Sequence, residues 1–455
     1  MIVSGKVSSA VWRIAWPTVV NTLVLNAWAL INRAFLGRLP NAGDSLAAMG
    51  ISQAALNIQF ALVMGLSAGA GALVSQFLGA GKNEEANEAS RQSLLLAVLF
   101  GAISGTPLII WALPMARTIG AQGSVARLSA DFTCIVSWFS IPVFVYMIVV
   151  TALRSAGDVK SAMYAGAVVL AVNTLLDWLL ILPHGHFGGY GIHGAAWATS
   201  ISRVAGVVVT LWFLKRSVLA GTLSHFRQHD RFARQILSIG GPAMLQQLGW
   251  TLAYTAFVWV LSRLPGGPNV VRNVQAGLTL ALTIESLAFM PGVAYSQAAT
   301  PLVGQNLGAG QPDRAAHSAW IATLHAIAIM SACAVVFMVA PGWLARAFTK
   351  DAAIVPIVVW YLRINAISEP FLAMNMVLRG SLQGAGDTLV PAIITLATNY
   401  VVRLPLAWYL AIHANHGAIG GWIAMSSSTI LSGTLMAIWF QMGHWRRRSL
   451  VSAAE

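Results

Sequence analysis

The segment Val74-Ser-Gln-Phe-Leu-Gly-Ala-Gly81 returns 229 residues later as Val303-Gly-Gln-Asn-Leu-Gly-Ala-Gly310. A second segment, Ala152-Leu-Arg-Ser-Ala-Gly-Asp158, returns at the same offset as Ser381-Leu-Gln-Gly-Ala-Gly-Asp387. One such match would be weak evidence, but two matches in the same order at one offset indicate an internal duplication. The sequence therefore predicts two homologous halves of almost equal length.

The composition assigns both halves to a membrane. Apolar residues make up 57% of the 455 residues and charged residues only 9%, against about 25% charged residues in soluble domains. Several uncharged stretches, such as that between Asp44 and Lys82, exceed the roughly 20 residues that an α-helix needs to cross the hydrocarbon. We predict an all-α integral membrane protein with twelve transmembrane helices, over residues 12–36, 45–78, 87–113, 124–153, 160–183, 191–214, 234–263, 271–306, 314–344, 352–382, 388–411 and 417–443.

Each half contains an even number of predicted spans, so both halves enter the membrane from the same side. They are then two parallel-repeat six-helix bundles, an arrangement that can rock between states open to either side. We predict an N-lobe over residues 1–215 and a C-lobe over 234–445, joined by a cytoplasmic linker at 216–233 and followed by a cytoplasmic tail at 446–455. This organisation is typical of proteins that move solutes across a bilayer.

The distribution of basic residues predicts the orientation. If the N-terminus is inside, the cytoplasmic side holds about twice as many Lys and Arg residues as the outer side, as the positive-inside rule requires. We therefore expect both termini in the cytoplasm and the chain in the inner (plasma) membrane. The net charge of +13 follows from this bias, so no nucleic-acid partner is expected.

The sequence contains no motif of an enzyme or an ATPase. It has no P-loop, no paired metal-binding motif and no Ser-His or Cys-His arrangement at a common depth. We expect a monomer that uses no ATP, binds no metal centre and contacts the lipid bilayer and a small organic substrate. Its only cofactor would be a coupling ion, H⁺ or Na⁺.

Four acidic residues lie within predicted helices, and a carboxylate in the bilayer usually faces a cavity or a partner, which makes it a candidate for ion coupling. One of them, Asp131, lies near the start of its helix and is expected at the membrane interface. Asp177 is the strongest candidate, since Asn173 lies four residues earlier on the same helical face. Glu285 lies within an apolar run, and Glu369 precedes a proline. The alternatives are a buried polar pair that only holds helices together, or ion pairing with Arg363 or Arg403.

Pro17 is a candidate gating bend. It lies early in the first helix, as Pro242 does in the first helix of the second half. A proline within a helix removes a backbone hydrogen bond and bends the helix. The alternative is a kink of the kind that membrane helices commonly tolerate.

With this topology, the sequence resembles the multidrug and toxic compound extrusion (MATE) family over essentially the whole chain. It is most similar to the bacterial and archaeal DinF-like branch. The resemblance implies a proton- or sodium-driven antiporter that exports organic, often cationic, compounds. It rests on six segments, Phe35-Leu-Gly-Arg38, Leu46-Ala-Ala-Met-Gly50, Gln76-Phe-Leu-Gly-Ala-Gly81, Phe289-Met-Pro291, Leu302-Val-Gly-Gln-Asn-Leu-Gly-Ala-Gly310 and Leu382-Gln-Gly-Ala-Gly-Asp-Thr388.

The resemblance also implies site residues. Asn173 and Asp177 match the Asn and Asp of the family's N-lobe cation site, and Thr199 matches a threonine on the sixth helix. Where the family usually has an Asp on the first helix, this chain has Asn32, followed by Arg33. The arginine could oppose a cation nearby or pair with Asp177.

A flippase for a lipid-linked or amphiphilic anionic substrate is the alternative function. Similar proteins of that kind carry basic residues in a central cavity to bind phosphate. Four arginines at or near membrane depth keep this alternative open, namely Arg33, Arg203, Arg363 and Arg403.

Overall fold

The computed structural model describes residues 2–40, 42–184, 187–224, 230–448 and 450–451. Helices dominate it, and a two-residue hairpin of β1 (Pro183–His184) and β2 (Phe187–Gly188) lies between α7 and α8. The α-helices are α1 (Val7–Leu36), α2 (Ala42–Gly79), α3 (Asn83–Ile110), α4 (Ala112–Thr118), α5 (Gly123–Trp138), α6 (Ser140–Ser155), α7 (Val159–Ile181), α8 (Gly191–Lys215), α9 (Asp230–Leu261), α10 (Pro268–Gly308), α11 (Pro312–Val339), α12 (Pro341–Phe348), α13 (Val355–Ala366), α14 (Glu369–Gly384), α15 (Leu389–Ala397), α16 (Leu404–Trp408) and α17 (Gly417–Met442).

Within these residues ten helical segments are long and apolar enough to cross a membrane, and α1 and α9 bring the number of long segments to twelve, in agreement with the predicted fold class. Eight single segments are long and apolar enough to span a bilayer: α2, α3, α7, α8, α10, α11, α17 and the stretch Leu389–His413. Two further spans are bent pairs, α5 with α6 and α13 with α14. The 30-residue α1 and the 32-residue α9 complete the set.

Two prolines account for the bends, which the sequence analysis treated as single straight spans. The angle is 55° between α5 and α6 and 59° between α13 and α14. A proline ring collides with the carbonyl four residues earlier and cannot donate to it. Counting back four residues from Pro142 and Pro370 gives Trp138 and Ala366, the last residues of α5 and α13.

The repeated motifs end helices in the same way in both halves. Gly81 and Gly310 adopt φ of +74° and +69°, in the left-handed region that suits glycine. The next residue then donates a backbone hydrogen bond back into the helix end, from Lys82 N to Phe77 O at 2.9 Å in the first half. This is the Schellman type of helix end, so the duplication preserved a turn that requires glycine.

The chain divides into two compact units. The N unit is Trp16–Met244, and the C unit is Met1–Ala15 with Leu245–Glu455. The start of α1 therefore belongs to the C unit and the start of α9 to the N unit. Pro17 and Pro242 lie within three residues of the points at which these two helices change unit.

The eleventh span is irregular. Between α15 and α16 the backbone forms a π-helical turn at Thr398–Arg403, and a second π-turn follows at Tyr409–His413. Pro405 lies within the span and cannot donate a backbone hydrogen bond. Single π-turns within α-helices are frequent at functional sites. The first of these turns ends at Arg403, which is therefore a candidate site residue.

Part of the predicted C-terminal tail is packed against the C unit. A 3₁₀ turn at His444–Arg447 buries Trp445, whose ring stacks on Phe440 at 4.8 Å between centroids. Arg448 forms an ion pair of 3.3 Å with Asp387, which is itself buried. Asp387 ends the second copy of the Ala-Gly-Asp motif, so this repeated acid anchors the tail.

Candidate functional site

The carboxyl group of Asp177 is the centre of the candidate site in the N unit. Asp177 and Asn173 lie one turn apart on α7, and both have no solvent exposure. α8 packs closely on this helix at Gly194, where a Cβ atom would lie 2.5 Å from the carbonyl oxygen of Leu180. Glycine thus permits the close approach that brings α8 onto the polar face of α7.

Asn32 on α1 lies against this pair, and its amide has two possible orientations. In one, Nδ2 donates to Thr199 Oγ1 at 3.4 Å while Oδ1 faces the oxygens of Asp177 and Asn173. In the other, the amide nitrogen donates to both carboxylate oxygens of Asp177 and to Asn173 Oδ1, the latter at 3.2 Å. The four residues that the resemblance singled out therefore converge.

No basic side chain of the described residues forms an ion pair with Asp177. Arg33, which follows Asn32, is exposed, whereas Asp177 is fully buried. Within the described part of the chain, the amide nitrogen Nδ2 of Asn173 has no hydrogen-bond partner. A buried carboxylate surrounded by amide and hydroxyl groups can accept a proton or bind a small cation or an ammonium group.

Two further candidates, Glu285 and Glu369, lie together in the C unit. The hydroxyl of Tyr361 donates to Glu285 Oε2 at 2.5 Å. The carboxyl group of Glu369 is within hydrogen-bond reach of that of Glu285, and no amide, hydroxyl or basic group of the described residues donates to its oxygens. No direct ion pair joins either acid to an arginine among the described residues, although the charge of Arg403 is near enough to Glu285 for the two to attract each other.

A cavity of about 400 Å³ opens beside these acids in the C unit. Arg403 and Arg379 both line it, together with Glu285. Arg379 was not among the site residues expected from the sequence. It shares a helical face with Asn375, four residues earlier, which also lines the cavity.

The arginines proposed for a flippase do not form one cluster within either unit. Arg33 and Arg363 are exposed. Arg203 lies over the ring of Tyr146, with 5.5 Å from its Cζ to the ring centroid. Of these four arginines, only Arg403 lines the C-unit cavity.

Curated relatives match the chain over nearly its full length. It is 25% identical over 446 residues to the "Probable multidrug resistance protein NorM" of Thermotoga maritima, covering 97% of this chain and 93% of the relative. It is 26% identical over 452 residues to the "Multidrug resistance protein NorM" of Burkholderia vietnamiensis, covering 97% and 94%.

Solved structures show the same fold. A crystal structure of MATE in the straight conformation has a TM-score of 0.88 at 24% identity and covers 97% of both chains. An outward-facing multidrug resistance MATE family transporter of the MOP superfamily has a TM-score of 0.87 at 24% identity, covering 97% of this chain and 96% of the other. Both structures share the fold across the entire bundle.

The family assignment rests on the sequence model of the MatE family, which matches residues 17–179 and 242–409. The two matched stretches correspond to the two halves of the duplication, and each begins at the paired proline, Pro17 or Pro242. Together they cover well over half of the chain. This protein therefore belongs to the MatE family and is a multi-pass membrane transporter, not an enzyme.

Proposed function

We propose that this protein is a secondary antiporter that exports small organic compounds in exchange for protons by alternating access. The observation that carries the proposal is Asp177, a fully buried carboxyl group without a basic partner among the described residues. Burying an ionisable group in a membrane costs free energy, and the groups found there usually belong to a substrate or ion pathway. No ATP is required, because the proton gradient supplies the driving force.

Antiport requires that the proton and the substrate exclude each other. A cationic or amphiphilic compound would favour ionised Asp177, and a proton would cancel the charge that holds the compound. Each ligand can shift the equilibrium between the inward-open and outward-open states only to the extent that it binds one of these states more tightly than the other. Protonation from outside would release substrate outward, and loss of the proton inside would prepare the site again.

The amide of Asn32 supplies a link from the carboxyl group to the movement of a helix. Ionised Asp177 favours the orientation in which the Asn32 nitrogen donates to it. The protonated acid can instead donate to Oδ1, which leaves Nδ2 for Thr199. Because Asn32 belongs to α1, the protonation state would alter how this helix is held against α7 and α8.

We also propose that both termini face the cytoplasm and that the chain acts as a monomer in the plasma membrane. The bias of Lys and Arg toward the same side as the termini supports this orientation. Cysteine accessibility at Ser4 and at Lys82 to a membrane-impermeant thiol reagent tests it. Labelling from outside intact cells would contradict the orientation.

The choice between protons and sodium leads to a prediction at Asn32. With one carboxylate, the site holds a single negative charge for a metal cation; Asn32→Asp would add a second one beside Asp177. We expect an imposed sodium gradient to drive export by Asn32→Asp but not by the original protein, measured in proteoliposomes at equal pH on both sides. Asn26→Asp, which adds the same charge six residues earlier on α1, is the matched control.

Sodium-driven export by the original protein would refute proton coupling while retaining antiport. Export that ignores both gradients would refute antiport itself. The decisive measurement is therefore substrate flux into or out of proteoliposomes under separately imposed proton and sodium gradients. Asp177 should be required for the response to whichever ion acts.

A second prediction concerns the bend at Pro17. Pro17→Ala restores a backbone donor where α1 changes unit, so we expect a stiffer helix and a maximal transport rate about fivefold lower. Substrate binding in detergent should change little, because Pro17 is not among the residues that surround Asp177. Pro107→Ala in α3, which lies wholly within the N unit, is the control; an equal slowing by both variants would argue against a specific hinge.

A further inference from the structure

The C-unit cavity carries two guanidinium groups that the proposed coupling at Asp177 does not use. We propose that it is a binding site for a small amphipathic organic anion, in which Arg379 and Arg403 bind the carboxylate, sulfonate or phosphate group. The inference does not rest on proton coupling in the N unit. It follows from the charges, partners and lining of this cavity.

Arg379 is the first observation. It lies on α14 and lines the cavity, and among the described residues its guanidinium has no hydrogen bond, ion pair or ring contact. A guanidinium group within a membrane protein usually has a partner, because leaving its charge uncompensated is costly. A ligand with an anionic group would provide the missing partner in the cavity.

Two hydrogen bonds hold the guanidinium group of Arg403 in place, and further N–H donors of this group remain for a ligand. Its Nε donates to Ser428 Oγ at 2.8 Å, and Nη2 donates to Thr429 Oγ1 at 3.2 Å. A guanidinium group has five N–H donors, so these two neutral acceptors fix its plane and leave other donors for a ligand. Arg403 is also the last residue of the π-turn in the eleventh span.

The two neighbouring acids do not cancel both guanidinium charges, although Glu285 attracts Arg403. Glu285 and Glu369 lie side by side, and two carboxyl groups that share a site do not both ionise readily. Tyr361 donates to Glu285, and the carboxyl group of Glu369 is within hydrogen-bond reach of that of Glu285. With at most one negative charge from the pair against two guanidinium groups, the cavity keeps a net positive charge.

The remaining lining fits the apolar part of such a ligand. Trp250 and Tyr254 stack with 6.2 Å between ring centroids, and both line the cavity with Phe289 and Met376. The volume of about 400 Å³ falls within the range of small-molecule sites, about 300–1,000 Å³. Aromatic walls with a few polar groups are typical of those sites.

The duplication gives an independent reason. Asn399 and Arg403 in the second half are 226 residues after Asn173 and Asp177 in the first. An amide therefore lies one turn before a charged side chain in both halves, but the charge is negative in the N unit and positive in the C unit. The related helices are thus suited to ligands of opposite charge.

The test is equilibrium binding of radiolabelled 2-naphthoate to the full-length protein in phosphatidylcholine nanodiscs, a lipid without net charge. We expect saturable binding, with the neutral isostere 2-naphthamide competing at least about tenfold less well, since charge-assisted hydrogen bonds are the stronger ones. The cation 2-naphthylmethylammonium should not compete. Absence of saturable binding, or equal competition by the amide or the cation, would overturn the proposal.

Variants locate the site. Arg379→Gln should weaken naphthoate binding about tenfold or more, and it should fold, because Arg379 has no partner in the described protein. Arg403→Lys keeps the charge but loses the planar fork, so it should bind better than Arg403→Gln and worse than the original protein.

The exposed Arg363→Gln is the matched control, and Asp177→Asn should bind naphthoate normally. Unchanged binding by Arg379→Gln and Arg403→Gln would overturn the proposal even if export at Asp177 is confirmed.

Discussion

Replacing Asp177 by asparagine is expected to reduce proton-driven export strongly while leaving the transporter folded. The amide is close in size to the carboxylate and can replace its hydrogen bonds with Asn32, but it can neither lose nor gain a proton. We expect the accumulation of substrate driven by a pH gradient to fall about 10- to 100-fold, the scale of a coupling free energy of about 1–3 kcal/mol. Passive, downhill exchange should persist at a measurable rate.

The measurement is substrate-dependent proton release in proteoliposomes, followed with a pH-sensitive dye and with labelled substrate in parallel. Asp131→Asn is the matched control, because Asp131 is an acid of the same unit that pairs with His193 at 3.0 Å and is exposed to solvent. It should transport like the original protein. Wild-type coupling by Asp177→Asn would rule out this carboxyl group as the proton carrier.

The second large effect is expected from Gly194→Ala, a single methyl group added between α7 and α8. The new Cβ would lie 2.5 Å from the carbonyl oxygen of Leu180 and 2.7 Å from its carbon, and a helix backbone cannot yield as a flexible side chain can. Overpacking of this kind costs about 1–3 kcal/mol. α8 must move outward, and Thr199 would move away from Asp177 with it.

We therefore expect a lower midpoint of thermal unfolding, a smaller monodisperse fraction after detergent extraction, and loss of transport in the protein that survives. Gly241→Ala provides the control, because nothing lies within 4 Å of a Cβ at that glycine within α9. It should behave like the original protein or be slightly more stable, since alanine favours helix over glycine. Equal stability of Gly194→Ala and Gly241→Ala would mean that α8 can shift without cost.

The helical architecture could be read from the sequence because its signals are local. A run of about 20 apolar residues must form a helix in lipid, since only a helix satisfies its own backbone hydrogen bonds there. The duplicated turns could also be predicted from the sequence, because Gly81 and Gly310 each mark a helix end that needs a residue in the left-handed conformation. The bends at Pro142 and Pro370 could also have been predicted, had the carbonyl four residues earlier been considered.

The candidate sites could be predicted only in part from the sequence. Asn173 and Asp177 could be paired because they are one turn apart on one helix. Their proximity to Asn32 and Thr199 was implied by family resemblance and not by spacing. The sequence does not indicate that Glu285 and Glu369 meet, because their contact with each other and with Tyr361 joins three helices.

Sequence by itself thus determined the number of membrane-spanning segments, their duplication and the presence of costly charges in the membrane. Tertiary structure alone decided which charges share a cavity, how Arg379 and Arg403 face one ligand-sized space, and that Asp177 has no basic partner among the described residues. The physical reason is that lipid is as apolar as the protein core. A transmembrane helix therefore shows little contrast between its inward and outward faces, and only packing between helices reveals which side chains meet.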